Sequence, residues 1–453
     1  MNFLIQSIFV LFSFVLSQAA FASDDNIPAL LPESALQQVS VAQNVDDALT
    51  LAEAEAIAVK DNPGLASMAS RAKAFAEIPP QVGSLPDPHI KFDAVNFPTD
   101  SFSTKRETMT QFRIGLSQEI PFPGKLKAKE DAAQFEALSA SYDVVETRLR
   151  LVRNVNISWW NLFYLDRALE IVTRNQALLR QFIRIAETKY TVGEGLQQDV
   201  LLAQVELSKL LDVEIRLVGA RKNEVSRLNA LLNRPTYSPI HLPKQVEEQL
   251  PQLPTEPELH QIAVQQRPLL ASQGERINAA KKRVDLAQLD YYPDFKVGTM
   301  WGTRNNINPA TGQARPDLAS LGISFNLPIF TSTKQDRALG QQQANVERER
   351  YALQDATEAV WSETSTSLAD FIKTRDQASL FKTGIIPQAS QTVDSMLAGY
   401  QVNKVDFLNL VQSQVTLYNY ETLYWRALTG ARQSLARLEA AIGKKIVKEI
   451  THE

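Results

Sequence analysis

The 453 residues contain no cysteine. That excludes disulfides, thiolate nucleophiles, cysteine-ligated metals and a lipid carried on an N-terminal cysteine. Histidine is scarce: His89, His241, His260 and His452 are far apart, a poor basis for a protein-built metal centre. Charge of one sign is not in large excess either. The formal net charge of -4 gives nucleic acid no electrostatic reason to bind. Beyond the N-terminus no run of about 18 uncharged apolar residues occurs, so membrane-spanning helices are not expected. A β-barrel stays open, because its strands are short and only alternately apolar. No GxxxxGK loop exists, and Gly193-Glu194-Gly195 lacks both the GxGxxG spacing and a preceding strand. No nucleotide, cofactor or resident metal is expected. Carboxylates such as Glu194 and Asp199 lie on helix faces with no nucleophile or base grouped beside them, so no enzyme is expected.

What is present begins with a leader. Residues 1–22 carry no charged side chain; Leu4 to Leu16 form an apolar core, and Ala20-Phe21-Ala22 fits a small-x-small cleavage site. This is the pattern of a signal peptide cut before Ser23, although its start lacks Lys or Arg. A retained anchor suits the short apolar run less well. Residues 23–47 read as an extended segment.

The rest is two copies of one plan. Ile57–Ala74 (IAVKDNPGLASMASRAKA) matches Ile262–Ala279 (IAVQQRPLLASQGERINA) at nine of eighteen positions without a gap. Chance gives about one or two, and self-similarity at a fixed period marks a repeat. Tyr190–Leu207 (YTVGEGLQQDVLLAQVEL) likewise corresponds to Tyr400–Leu417 (YQVNKVDFLNLVQSQVTL). The boundaries read as 48–232 for the first repeat, 233–256 for a proline-rich connector, 257–447 for the second repeat and 448–453 for a tail. Each repeat runs helix, two extended segments, long helix, bend, helix.

The first helices are expected at roughly 48–78, ended by Pro79-Pro80, and at about 257–289. The strands are expected at His89–Phe97, Thr110–Ile120, Phe295–Thr303 and Leu318–Leu327. Within Thr110–Ile120, Phe112, Ile114 and Leu116 face one way and Gln111, Arg113, Gly115 and Ser117 the other. Proline is missing from 126–192, which gives one helix of about 100 Å. A matching helix is expected from about 334, past Gly384 and Pro387, to about 400. Such lengths usually need coiled-coil neighbours. The aromatics Trp159, Trp160, Phe163, Tyr164, Tyr418, Tyr420, Tyr424 and Trp425 read as packing residues in a mid-helix region. Four strands cannot close a barrel in lipid, where edge groups have no partner, but three chains would supply twelve.

The duplicated plan, the tyrosine-valine-glycine bend and the stretch Gln118–Lys129 (QEIPFPGKLKAK) resemble the outer membrane efflux protein family, the TolC-like channels. Two shorter stretches, SLPDPHIKF leading into the first strand and IPFPGKL following Thr110–Ile120, most resemble the subgroup serving heavy-metal and cation exporters. The resemblance implies a mixed α/β membrane protein: a homotrimer whose 12-stranded outer membrane β-barrel continues into a long periplasmic α-helical barrel. It implies a Gram-negative outer membrane location in contact with lipid, a periplasmic adaptor (membrane fusion) protein, and an inner-membrane pump, RND type, carrying metal cations or drugs. The bends would be the periplasmic tips, with Tyr190, Val192, Gly193, Gly195, Tyr400, Val402 and Asn403 docking the adaptor. In some relatives the second tip carries two acids three apart; here Asp406 matches and Asn409 does not, which implies a weaker charge ring. Asp199 of the first tip is a further gate candidate. Asp406 also suits a helix cap. Asn403 stands where glycine is usual, and asparagine tolerates positive φ. The competing reading is a periplasmic or surface coiled-coil protein that binds partners through its bends.

Overall fold

The computed structural model describes residues 48–446 apart from residue 309; the expected leader, the extended segment and the tail from 447 lie outside the described residues. The first repeat comprises α1 (Leu51–Asp61), α2 (Pro63–Ala76), α3 (Ile78–Gly83), β1 (His89–Val95), β2 (Gln111–Ile120), α4 (Lys125–Thr191) and α5 (Gln197–Leu231). The second comprises α6 (Glu256–Gln266), α7 (Pro268–Leu289), β3 (Phe295–Thr303), β4 (Leu318–Phe325), α8 (Gln335–Leu380), a π turn (Phe381–Ile385), α9 (Ile386–Gln401) and α10 (Phe407–Ile442).

The single helix expected over 48–78 is divided in three. Asn62 is extended (φ -75°, ψ 117°), because the ring of Pro63 disfavours helical backbone in the residue before it. Its side chain then caps α2, accepting from the Leu65 amide at 3.0 Å. Pro79 and Pro80 do not end a helix; they fill the first turn of α3, where an amide hydrogen would have no partner. The second copy breaks at the same point, Arg267 (φ -72°, ψ 116°) preceding Pro268. Both copies open on a reciprocal cap, Thr50 with Glu53 and Thr255 with Glu258.

Helix α4 runs 67 residues without interruption. The second long helix does not. Pro387 has no amide hydrogen and its ring crowds the carbonyl four residues back, so the helix widens into the π turn before resuming as α9. Around α4 pack α5, α7 and α10, and α8 lies against α7 and α10. The end of α10 abuts the start of α7. Gly443 takes φ 76° there, and a Cβ on it would stand 2.5 Å from the Gln266 carbonyl oxygen. The buried Arg267 guanidinium donates to the Ala440 carbonyl, capping α10, and pairs with the buried Glu146 at 2.9 Å. Residues 233–255, the connector, form neither helix nor strand and lie over the helices; Ile240 enters the core beside Trp159 and Phe163. Trp159 stacks on Phe163 at 5.7 Å, and Phe163 meets Trp425 edge-on at 5.8 Å, so these aromatics are packing residues.

The strands form one antiparallel sheet in the order β1-β2-β3-β4. Its register sorts the side chains. Directly opposed residues share a face, and the pairs Phe92–Ile114, Ile114–Trp301 and Phe295–Phe325 lie on one. That face continues through Ile90, Leu116, Phe112, Ile120, Val297, Leu321 and Ile323. The other face holds Lys91, Asp93, Gly115, Ser117, Glu119, Lys296, Gly298, Ser320, Gly322 and Ser324. Its charges oppose one another: Asp93 faces Arg113, and Glu119 faces Lys296. The apolar face is bare, with Phe92 76% and Leu321 77% exposed. The alternation expected for Phe112, Ile114 and Leu116 is the one observed.

Candidate functional site: the paired helical bends

The two bends are built by the same backbone device. After α4, Gly193 adopts φ 79°, its amide reaches the Tyr190 carbonyl at 3.1 Å, and the Glu194 amide reaches Lys189 at 2.9 Å. After α9, Asn403 adopts φ 57°, its amide reaches Tyr400 at 3.2 Å, and the Lys404 amide reaches Gly399 at 2.9 Å. Each is a Schellman cap, which needs a residue that tolerates left-handed backbone. Asn403 supplies it in place of glycine.

A further difference between the bends is one of volume. A Cβ on Gly195 would lie 2.9 Å from the Lys189 Cβ. At the equivalent places the other bend has Val405 and Gly399, and a Cβ on Gly399 would lie 2.5 Å from Val405 Cγ2. The large and small members of the pair are exchanged, so each turn closes at the same tightness.

Lys189 does more than fill space. Its ammonium crosses to the other bend, donating to the Tyr400 carbonyl at 2.7 Å and to the Asn403 side-chain oxygen, and sits 4.6 Å from the Tyr400 ring centre. A cation is favourable there because the last carbonyls of α9 lack helical partners and carry the negative end of its dipole. Lys189 therefore ties the first hairpin to the end of the second. Sequence reasoning missed it. The signal lay in the repeat, where Lys189/Gly399 and Gly195/Val405 change size in opposite directions.

The predicted residues divide by environment. Tyr190, Val192 and Val402 are exposed at the tips, whereas Tyr400 is 5% exposed and packs on Phe407 at 5.1 Å. The equivalent tyrosines thus differ: one is surface, the other core. The Tyr400 hydroxyl finds no hydrogen-bond partner; burial, and then the Asp199 charge, push its pKa up. Asp199, half-buried in the first turn of α5, is also pushed up, first by burial and further by Asp406, with a backbone hydrogen bond at Leu196 opposing. The bends therefore bring Asp199, Tyr400 and Asp406 together. Asp406 occupies the N-cap position of α10 (φ -71°, ψ 144°), yet its side chain makes no cap hydrogen bond. Asn409 lies one turn on and is exposed. Among the described residues no group of three His, Cys, Asp or Glu side chains could hold a metal ion.

A sheet with one bare apolar face, carried on helices of about 100 Å that end in paired bends, defines a protein that lines a passage through a membrane. The chain belongs to the outer membrane efflux protein family, whose profile matches residues 58–234 and 259–444. It is 21% identical over 401 residues to the cobalt-zinc-cadmium resistance protein CzcC of Cupriavidus metallidurans, covering 87% of this chain and 90% of that one. It is 24% identical over 243 residues to the outer membrane efflux protein BepC of Brucella suis, about half of each chain (51% and 52%). Its fold is similar to that of CusC (TM-score 0.75, 16% identity, 89% of this chain and 96% of that one). It is similar also to VceC of Vibrio cholerae (TM-score 0.71, 16% identity, 88% and 97%). The protein is a non-catalytic outer-membrane channel of a Gram-negative bacterium, serving a tripartite efflux system through a large periplasmic helical portion.

Proposed function

We propose that three copies close a twelve-stranded barrel in the outer membrane and conduct, without energy of their own, metal cations delivered by an RND-type pump through a periplasmic adaptor. The observation that carries the assembly is the sheet. Its β1 and β4 edges have unpaired backbone groups, and its outer face is apolar across every strand, so in lipid it requires neighbours that complete the ring. The inward face then presents Gly, Ser and mutually opposed charges, a wall with little to hold a solute. The metal reading is supported by the similarity to CzcC, a cobalt-zinc-cadmium resistance protein.

The bends are the closed entrance and the docking surface. Tyr190, Val192, Gly193 and Gly195, with Val402 and Asn403, present the adaptor-facing turns; Tyr400 acts from inside by holding the tip core. Lys189 keeps the two hairpins together. Asp406, free of a cap bond, and Asn409 line the constriction, and Asp199 sets its charge. In that closed ring the weak field of one acid per second tip favours cations over anions. Fractionation tests the assembly: the chain should sediment with outer membranes and migrate as a trimer in mild detergent, and a soluble monomer would refute it. Growth tests the cargo. Co-expressed with its native pump and adaptor, the chain should restore resistance to cobalt, zinc or cadmium; protection against organic drugs alone removes the metal reading and leaves the channel intact.

A further inference from the structure

One level of the helical wall is short of negative charge. There α10 gives way to α7 between α4 and α8. A groove of about 610 Å³ opens among Arg153 and Asn154 of α4, Ser362, Glu363 and Thr366 of α8, and Arg437 of α10. Its direction follows from the helical period. Val155 packs toward α1 and the connector, and Arg153 and Ile157 stand two residues to either side of it, about 200° round the helix. Val360 and Leu368 pack on α6, and Ser362 and Thr366 each stand two residues from one of them. The groove therefore faces away from α1, α6 and the connector. Gln433 donates to the Ile157 carbonyl and Arg426 to the Tyr164 hydroxyl, so in these antiparallel helices Arg437 stands level with Arg153.

Four arginines stand here against two glutamates. Arg150 and the buried Arg267 hold Glu146 at 2.7 and 2.9 Å, and Arg153 and Arg267 share Glu363, each at 3.5 Å. Glu363 is the one acid in the lining. Asp355 and Asp370, a turn beyond it on α8, lie outside the lining, and Asp370 pairs with Lys373. Among the described residues Arg437 has neither a hydrogen bond nor an ion pair. Burial pulls the Arg153 guanidinium below its ordinary pKa; Glu363 opposes this, and Arg150 and Arg267 add to it. An added negative charge would relieve that crowding. A guanidinium presents a planar fork of donors that fits the oxygens of a carboxylate or phosphate, and the Ser362 and Thr366 hydroxyls can donate beside it. The volume is that of a site for a small organic solute, more than a bare halide fills.

We infer that this groove is an anion-binding site, one in each protomer, for a small solute bearing two or more oxyanion groups, held by Arg437 and Arg153 with Ser362 and Thr366 donating beside them. Its opening onto the passage rests on the channel reading above; the groove itself is complete within one chain. Citrate and pyrophosphate are the probes, one for carboxylates and one for phosphates. Each is titrated calorimetrically into the full-length protein in mild detergent at fixed ionic strength. The wild type should bind at least one of them, once per protomer, and the tighter of the two names the preferred group. Arg437→Gln, which breaks no hydrogen bond or ion pair of the fold, should weaken that binding roughly tenfold or more, and Arg437→Lys, which keeps the charge without the fork, should recover part of it. Arg153→Gln should weaken it as well. Binding of neither probe by the wild type, or equal affinity in Arg437→Gln and Arg153→Gln, overturns the site and leaves the channel standing. A chain that proves to be a soluble monomer removes the channel reading; binding lost in Arg437→Gln upholds the site even then.

Discussion

Removing the Lys189 ammonium is the most informative single perturbation of the entrance. The side chain is partly exposed and makes two close oxygen contacts and one ring contact on the opposite bend. A hydrogen bond from a charged group contributes about 1.5–3 kcal/mol when sheltered, and solvent screening at a half-exposed site reduces this to about 1–2 kcal/mol. Three tips that open together multiply it to about 3–6 kcal/mol, and reversing a 99:1 equilibrium takes about 5.5 kcal/mol. Lys189→Ala should therefore raise the open-to-closed ratio by roughly 10²–10⁴-fold. The assay is single-channel conductance of the purified trimer in a planar bilayer, with trimer assembly checked in mild detergent. Lys189→Arg, which keeps the charge near the α9 carbonyls, should remain largely closed. An intact Lys189→Ala trimer as closed as the wild type would show that this contact does not hold the entrance shut.

Ile114→Arg, on the apolar face, should cost roughly 2–4 kcal/mol at the bilayer midplane and deplete the trimer, whereas Ser320→Arg, on the polar face, should assemble nearly as wild type; equal trimer yields would reverse the faces. Gly399→Ala should destabilise the second bend by about 1–3 kcal/mol through overpacking on Val405, and Val405→Gly should rescue it, both read by hydrogen exchange over residues 400–406. Because the folded tip holds Asp199 above its ordinary value of 3.8, the folded state binds its proton more tightly than the unfolded chain. Tip stability from this group should thus be greatest below that ordinary value and fall as pH rises through the raised one. Asp199→Asn should remove that dependence in hydrogen exchange at the bends. Arg267→Met should cost about 1–3 kcal/mol in thermal unfolding, since buried Glu146 would keep only Arg150 as its cation and the Ala440 carbonyl would lose its cap.

The sequence by itself determined the plan of this protein. Period and turn chemistry are local, and they were enough to place two repeats, four alternating strands, a proline-free helix of 67 residues and two bends. Asn403 could be assigned a left-handed conformation because so few side chains tolerate one. The Pro63 and Pro268 breaks were legible in principle, since a proline restricts the residue before it, but a strong helical pattern on both sides concealed them. Tertiary structure decided the rest. Register across four strands, not alternation within one, gathered Ile90, Ile114, Trp301 and Ala319 onto a single apolar face. Tyr190 and Tyr400 match in sequence, yet packing leaves the first exposed and buries the second. Lys189 had no visible partner, because its oxygens belong to a helix end more than 200 residues away. Helix ends offer unpaired carbonyls wherever they fall, and only the fold decides which cation arrives there.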